Sequence, residues 1–370
     1  MRALWHQTRN GIAALKPGSF PWGRFALAML IGIAGGWGFA SLRLPLPWML
    51  GPMSACTLAA VLGLPVAAPP VIRPPMTLVI GVLLGTAFKP DFFHQFPQWL
   101  PALAGLVVFM AVSALACVTF FRRVGGFDRT TAYFAGMPGG LVEMVTVGEE
   151  RGGDGRMIAL VHSARILLVV MTLPFAIQMM AGIQLGGRRP AGISIVDTPL
   201  VSDLWLVGCG IVGLFVGQLL RMPAKFLLGP MLVTAVVHIA GLATFSPPSE
   251  VIIMAQLVLG VTIGCRFVGT PPREIGRILG LSVGSTIILL FFTVIFALLI
   301  SRMTDFGVVP LMLAYAAGGL AEMSLIALAL HVEVAFVAAH HIVRIFLVMV
   351  GAGPLFGVFL GDDTGAEASD

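Results

Sequence analysis

The chain has 370 residues, of which 58% are hydrophobic and only 11% are Asp, Glu, Lys or Arg. Soluble domains carry about 25% charged residues, so this composition, with a mean hydropathy of +0.99, predicts an all-α integral membrane protein and excludes an ordinary soluble domain. The formal net charge of +5 comes from scattered Lys and Arg, without a basic stripe or interleaved aromatic residues, which argues against a nucleic-acid partner.

Apolar runs of near-spanning length recur from one end of the chain to the other, and about 20 helical residues cross a bilayer. The runs predicted to span are Phe25–Leu42, Pro47–Leu64, Pro74–Phe88, Trp99–Phe121, Met157–Met180, Leu204–Leu220, Phe226–Leu242, Val251–Phe267, Leu279–Ile300 and Val334–Leu360. The N-terminus before the first run is mixed in character, so we expect that run to act as an uncleaved signal anchor.

The two halves of the chain carry the same motifs in the same order, 178 or 179 residues apart. The pairs are Leu50–Met53 with Leu228–Met231, Gly81 with Gly260, Gly85 with Gly264, Gly139 with Gly318, Gly140 with Gly319, Glu143 with Glu322, His162 with His341, and Arg165 with Arg344. This period is too long for a solenoid and indicates a duplicated membrane half, the plan of many secondary transporters. The predicted organisation is a cytoplasmic N-terminal segment (1–24), membrane repeats (25–181 and 204–360), a connecting loop (182–203) and an acidic tail (361–370).

Two glycine-rich stretches, Thr131–Val147 and Val309–Leu330, decide the number of spans, because there are twelve if both cross and ten if neither does. The positive-inside rule distinguishes these alternatives. With ten spans and a cytoplasmic N-terminus, 15 of the 22 Lys and Arg lie inside, 5 lie outside and two lie in the membrane; with twelve spans the inside and outside counts are 11 and 9. The five outside residues are Arg43, Lys89, Arg188, Arg189 and Arg302.

Five spans per half is an odd number, so the second half enters the membrane in the opposite orientation to the first. The sequence therefore predicts about ten transmembrane helices as two inverted five-helix repeats, each with a re-entrant or broken glycine-rich segment. Irregular backbone at membrane depth is tolerated only where it is buried in protein or lines a wet cavity. A re-entrant hairpin and an unwound crossing both remain open for each stretch.

The glycine pairs Gly139-Gly140 and Gly318-Gly319 come just before Glu143 and Glu322. Glycine permits positive φ and close approach, and a helix that restarts after a break presents N–H groups that attract anions. We predict that both glycine pairs and both glutamates bind substrate. The alternative is tight helix packing through small residues.

Arg165 and Arg344 each lie several residues inside a long apolar run, three residues after His162 and His341. A charge near the middle of the bilayer costs about 2.5–3.5 kcal/mol on insertion scales, so each arginine should face the protein interior and have a partner. We predict that these His and Arg side chains complete the substrate-binding site. The alternatives are a structural ion pair with the glutamate of the same half, and snorkelling of the arginine to the membrane surface.

The chain contains no Walker A, G-x-S-x-G or H-E-x-x-H motif and no Cys or His cluster with metal spacing. We therefore expect no catalytic residues, no metal and no cofactor. The four cysteines, Cys56, Cys117, Cys209 and Cys265, lie in apolar segments without a C-x-x-C pair. They are predicted to be packing residues rather than disulfide partners or metal ligands.

The paired L-G-P-M boxes, the G-G-L-x-E-M repeats and the H-x-x-R helices make the chain similar, over about residues 25–360, to the bacterial membrane AbrB duplication family. Members are often labelled as ammonia monooxygenases or as regulators of gene expression; the soluble DNA-binding protein of the same name is a different molecule. No copper- or iron-ligand cluster supports the monooxygenase label. The resemblance implies architecture more than substrate.

We expect an inner-membrane secondary transporter of a small anionic organic solute, with proton or sodium coupling left open. The alternative is a membrane ligand sensor that affects gene expression without moving its ligand, and an integral membrane enzyme is the third class. The expected partners are the lipid bilayer and the solute, and both a monomer and a homodimer remain open.

Cysteine-accessibility labelling tests this topology. Single cysteines introduced at Arg129 and Arg302 should react with impermeant reagent from opposite faces of the membrane, because the ten-span arrangement places them on opposite sides. Reaction of both positions from one face would contradict the inverted repeat.

Overall fold

The computed structural model of the protein describes residues 20–90, 92–182 and 192–360, and in this part of the chain every regular element is helical. Most of the predicted cytoplasmic segment, residues 183–191 of the connecting loop with Arg188 and Arg189, and the acidic tail at 361–370 lie outside the described residues. All-helical architecture follows from long apolar runs, because a backbone in lipid must satisfy its hydrogen bonds within the segment.

The helices of the first half are α1 (Trp22–Ser41), α2 (Pro47–Val61), α3 (Arg73–Gly85), α4 (Leu100–Arg123), α5 (Arg129–Gly136), α6 (Leu141–Glu150) and α7 (Gly155–Ala181). Those of the second half are α8 (Leu200–Leu219), α9 (Lys225–Ile239), α10 (Ser249–Gly264), α11 (Pro272–Ser301), α12 (Val308–Tyr315), α13 (Leu320–Ala329) and α14 (Val334–Leu360). One short α-helical turn lies at Phe92–Gln95, and 3-10 turns lie at Pro70–Ile72, Phe96–Trp99 and Cys265–Phe267.

The duplication extends from the motifs to the helices. Helices α5 and α12 both have 8 residues, α6 and α13 both have 10, and α7 and α14 both have 27. Within the described ranges, 7 helices are long and apolar enough to cross a membrane. The chain is therefore a multi-pass membrane protein. The other predicted spans coincide with α2, α3 and α9, which have 15, 13 and 15 residues, and the ten-span inverted arrangement stays a prediction.

One compact unit consists of Met1–His94, Met171–Ile275 and Ser324–Ala335, so it draws on both halves of the chain. Within it, α1 packs on α2 and α8 packs on α9, while α3 packs on α9 and α10 packs on α2. A Cβ at Gly81 would lie 2.5 Å from the carbonyl oxygen of Leu227, and a Cβ at Gly260 would lie 2.5 Å from that of Met49. Repeated glycines thus make equivalent close approaches, each to a helix of the opposite half.

The L-G-P-M boxes lie near the starts of α2 and α9, with Pro52 and Pro230 inside the helices. Gly51 approaches Gly35 of α1, and Gly229 approaches Gly213 of α8, so closely that neither position can hold a side chain without displacing backbone. These contacts allow the helix pairs to pack with their backbones almost touching. The boxes therefore set the distance between neighbouring helices in this unit.

The other compact unit consists of Gln95–Val170, Gly276–Met323 and Phe336–Asp370. It contains α4, α5, α6 and α12, with most of α11 and α14 and the first part of α7. A Cβ at Gly105 of α4 would lie 2.7 Å from Ile300 of α11, and a Cβ at the equivalent Gly284 of α11 would lie 2.4 Å or more from Phe120 of α4. Every residue predicted to bind substrate belongs to this unit.

Contacts in both units are reciprocal: an element of one half meets an element of the other, and the equivalent pair meets with the roles exchanged. Such reciprocity is what a two-fold relation produces, as it does at an isologous interface between two identical subunits. The duplicated halves are therefore interleaved within each unit rather than folded as separate consecutive domains.

Substitution of the repeated glycines tests this packing. Gly81→Ala and Gly260→Ala should each lower the thermal stability of the detergent-purified protein, because overpacking costs about 1–3 kcal/mol. Gly208→Ala in α8 is the matched control, since no atom lies within 4 Å of its added Cβ. Equal stability of Gly81→Ala and Gly208→Ala would contradict the close approach.

Candidate solute-binding site

Each glycine-rich stretch is a helix broken at four residues. Helix α5 ends at Gly136 and α6 begins at Leu141, while α12 ends at Tyr315 and α13 begins at Leu320. The backbone at the break is extended, with ψ near 136° at Met137 and 132° at Ala316. The broken-segment prediction is therefore correct for both halves, and extended backbone here leaves helix-end groups without intrahelical partners.

The glycine pairs serve close approach rather than an unusual backbone conformation. Gly140 has an ordinary φ of −69°, and neither glycine pair has positive φ. A Cβ at Gly140 would collide with the carboxylate of Glu143, and a Cβ at Gly319 would collide with that of Glu322. Glycine permits both positive φ and close approach, and at these positions only the close approach is used.

Both glutamates fold back onto the start of the helix that carries them. Glu143 lies in the first turn of α6 and Glu322 in the first turn of α13. A carboxylate in this position is stabilised by the positive end of the helix dipole and resembles the reach of a capping-box glutamate toward its N-cap residue. Glu322 is 3% exposed, whereas Glu143 is partly exposed.

The arginines bind the broken backbone and not the glutamates. Arg165 donates from Nη1 to the carbonyl oxygen of Met137 at 2.9 Å and from Nη2 to that of Gly139 at 3.3 Å. Neither glutamate is among the hydrogen-bond or ion-pair partners of the two arginines, so the proposed Glu–Arg ion pair is wrong. The guanidinium instead caps the carbonyl end of α5, where the helix dipole favours a cation.

The second half reproduces this arrangement residue by residue. Arg344 donates from Nη1 to the carbonyl oxygen of Ala316 at 2.7 Å and from Nη2 to that of Gly318 at 3.0 Å. Arg165 is 3% exposed and Arg344 is 5% exposed, so neither side chain extends to the surface of its unit. Both arginines therefore face inward, and snorkelling is excluded for this conformation.

Each histidine binds the arginine of its own half, and we call each pair an arginine clamp: Arg165 with His162, and Arg344 with His341. The hydrogen bonds of the histidines determine their tautomers. Arg165 Nη2 lies 2.7 Å from Nδ1 of His162, and Arg344 Nη2 lies 2.8 Å from Nδ1 of His341. Arginine only donates, so each Nδ1 accepts and each Nε2 carries the proton. The Nε2–H groups donate to the carbonyl oxygens of Phe134 at 2.8 Å and Leu313 at 2.9 Å.

Local capping positions these side chains. Asp128 accepts a hydrogen bond from the N–H of Thr131 and so caps α5, and Asp154 accepts from the N–H of Met157 and caps α7. The hydroxyl of Thr131 in turn accepts from the N–H of Asp154 at 2.9 Å, which ties the start of α5 to the start of α7. Asp154 is therefore the N-cap residue of α7.

The two arginine clamps belong to one compact unit. The thiol of Cys117 on α4 lies 3.9 Å from the carbonyl oxygen of Ser285 on α11. Helix α14 also meets the first break, because a Cβ at Gly139 would lie 2.7 Å from Val348.

Both arginines keep one donor without a protein partner. The Nε–H groups of Arg165 and Arg344 are buried and unpaired. Buried polar groups in native proteins nearly always have partners, so these Nε–H groups remain able to donate to an acceptor that enters the site. Among the described residues, no group of three or more His, Cys, Asp or Glu could hold a metal ion.

Sequence reasoning identified the charged side chains but missed the backbone acceptors. The carbonyls of Phe134, Met137 and Ala316 leave no signature in the sequence, since every residue type carries one. It also predicted a packing role for all the cysteines, and all four are free and buried.

Comparison with known proteins gives one family and two relatives. The model of the family described as "Transition state regulatory protein AbrB" matches residues 48–360. A protein of Escherichia coli (strain K12), named "Putative regulator AbrB", is 25% identical over 342 residues, which cover 92% of this chain and 96% of the relative. "Uncharacterized protein YhjN" of Bacillus subtilis (strain 168) is 26% identical over 292 residues, covering 75% of this chain and 76% of the relative.

A double-mutant cycle tests the clamp. His162→Ala and Arg165→Gln should show a coupling of about 0.5–3 kcal/mol in thermal unfolding of the purified protein, because the two side chains share a hydrogen bond and neighbouring acceptors. Glu143→Gln and Arg165→Gln are the matched control and should add within about 0.5 kcal/mol. Strong coupling between Glu143→Gln and Arg165→Gln would indicate a Glu–Arg ion pair and would contradict the structure.

Proposed function

This chain belongs to the AbrB family of membrane proteins, and from that premise we propose that it is a secondary transporter of a small anionic organic solute in the bacterial inner membrane. The solute binds between the two arginine clamps. This proposal rests on the charge of the site, on its broken helices and on its duplication.

The observation that carries the proposal is a pair of buried guanidinium groups without a carboxylate partner. Their hydrogen bonds to backbone carbonyls satisfy N–H groups but do not neutralise the charge. Two buried cations inside a membrane protein are costly, since each costs about 2.5–3.5 kcal/mol on insertion scales. An anion between them would lower this cost and would give the unpaired Nε–H groups of Arg165 and Arg344 an acceptor.

The glutamates have a different role in this proposal. Because Glu143 and Glu322 cover the first turns of α6 and α13, they compensate the helix dipole there and leave the arginines as the solute-binding charges. The glycine pairs give the carboxylates room to fold back. These predicted site residues thus hold the broken ends in shape around the arginines.

The membrane arrangement that fits this function has ten spans and two inverted repeats. The positive-inside count supports it, and so do the reciprocal contacts within each unit. Transporters with inverted repeats place solute sites near the bilayer midplane at discontinuous helices from both repeats. Switching between two states then exposes the same two arginine clamps first to one side of the membrane and then to the other.

A second function is favoured by the names of the family and of the Escherichia coli relative, both of which describe regulators. A membrane sensor would use the same clamps to bind an anion and would transmit a conformational change without moving its ligand. Binding alone is common to both functions, whereas solute flux belongs only to the transporter.

A carboxylate panel tests anion binding. Thermal-shift titrations of detergent-purified protein with mono- and dicarboxylates of two to six carbons should identify a ligand that raises the melting temperature, by an amount that grows with the logarithm of its concentration above Kd. Arg165→Gln and Arg344→Gln should each raise its Kd by thirtyfold or more, since loss of a buried charge partner costs about 2–5 kcal/mol. Glutamine can still donate to a carbonyl, so the clamp keeps part of its structure.

Arg302→Gln, at an exposed position after α11, is the control and should leave Kd unchanged. Uptake of the same ligand into proteoliposomes then separates the two functions. Binding without uptake would favour the sensor, and unchanged affinity in both clamp variants would reject the site.

A further inference from the structure

We propose that His340 is a proton-binding site and that its protonation is coupled to binding of the anion, which makes the protein a proton–anion symporter. The coupling to an anion rests on the proposed function. Proton binding by His340 rests only on the hydrogen bonds of the three buried histidines.

His340 differs from its neighbours in having a free acceptor. Its Nδ1 lies 2.8 Å from the carbonyl oxygen of Phe336, and a carbonyl only accepts, so Nδ1 carries the proton of the neutral ring. Its Nε2 is buried without a partner. That nitrogen therefore presents an unused lone pair, and protonation adds one N–H bond without breaking a hydrogen bond.

The other two site histidines cannot accept a proton in this way. In His162 and His341, Nε2 donates to a carbonyl and Nδ1 accepts from an arginine. A proton on either Nδ1 would set an N–H group against the N–H of the guanidinium and would break the clamp. Adjacent histidines on α14 thus hold opposite tautomers, and the unused nitrogen belongs to His340.

Among the described residues, the structure gives His340 no acidic partner. Its ring packs at 4.2 Å on Phe336 and at 6.1 Å on Tyr315 of α12, whose hydroxyl donates to the carbonyl oxygen of Ala102. The titratable and charged groups on its own helix are His341 and Arg344, and Arg344 lies one helical turn away on the same side. Phe306 packs on Phe336, and the neighbouring Asp305 is exposed.

Coupling follows from this charge arrangement. A protonated His340 adds a positive charge one helical turn from Arg344, on the same face of α14. A bound anion offsets the repulsion between these two positive charges, so anion and proton each favour binding of the other, by equal factors. His340 is 0% exposed, and the proton therefore enters in a conformation that opens the site.

The duplication supplies a reference for this role. The position equivalent to His340 in the first half is Val161, which is fully buried. One half thus carries both a clamp and a proton acceptor, while the other carries a clamp alone. A single proton per transport cycle is the stoichiometry that this asymmetry gives.

The first test needs no solute. Nitrogen NMR of ¹⁵N-histidine-labelled protein in detergent, titrated from about pH 8 down to the acid limit of the folded protein, should show His340 as an Nδ1–H tautomer that becomes doubly protonated. His162 and His341 should remain neutral Nε2–H tautomers. His340→Asn assigns the signal, since its amide can still donate to the Phe336 carbonyl but cannot titrate. Titration of His162 or His341 instead, or a His340 signal unchanged until unfolding, would overturn the proposal.

The second test uses the carboxylate identified from the panel. Its Kd for the wild type should rise about tenfold per pH unit above the His340 titration, as linkage of one proton requires, and Kd for His340→Asn should not change with pH. A wild-type Kd independent of pH would reject the coupling. If no carboxylate binds, the proposed function fails while the NMR titration still decides whether His340 binds a proton.

Discussion

The hydrogen bonds from one His-x-x-Arg pair to the end of a broken helix are the interaction on which the rest of this site depends. Each break leaves carbonyl groups without intrahelical partners, and in hydrocarbon such groups are costly. Arg165 and His162 satisfy three of them in the first half, and Arg344 and His341 satisfy the equivalent three in the second. Without these donors, extended backbone could not persist in a membrane-buried unit.

The same interaction explains why the site is positively charged. Carbonyl oxygens and a neutral imidazole meet the geometric demands of a guanidinium, but they carry no formal negative charge. An ion pair with Glu143 or Glu322 would have neutralised the site, whereas the structure directs both carboxylates back to their own helix starts. The charge that remains is available to a ligand, and a proton acceptor beside it at His340 would respond to the same electrostatic balance.

Duplication shapes how the clamps are held. Glycines repeated at equivalent positions bring helices of opposite halves together in both compact units, with the roles of the two halves exchanged. A close-packed interface of this kind has discrete arrangements rather than a continuum, because interiors are packed as densely as crystals. Such bistability is what switching between two states requires, in a transporter or in a sensor.

The sequence by itself determined the membrane class and the duplication and supplied the side chains of the candidate site, because composition, period and buried charge are all visible in a linear chain. It also predicted both breaks from the glycine pairs at Gly139 and Gly318. It could not determine the partners of Arg165 and Arg344, since a backbone carbonyl belongs to every residue type, and an acid such as Glu143 near in sequence is a plausible but wrong choice. Only the tertiary structure decided which acceptor each donor reaches, because that depends on how α7 and α14 pack against the broken helices.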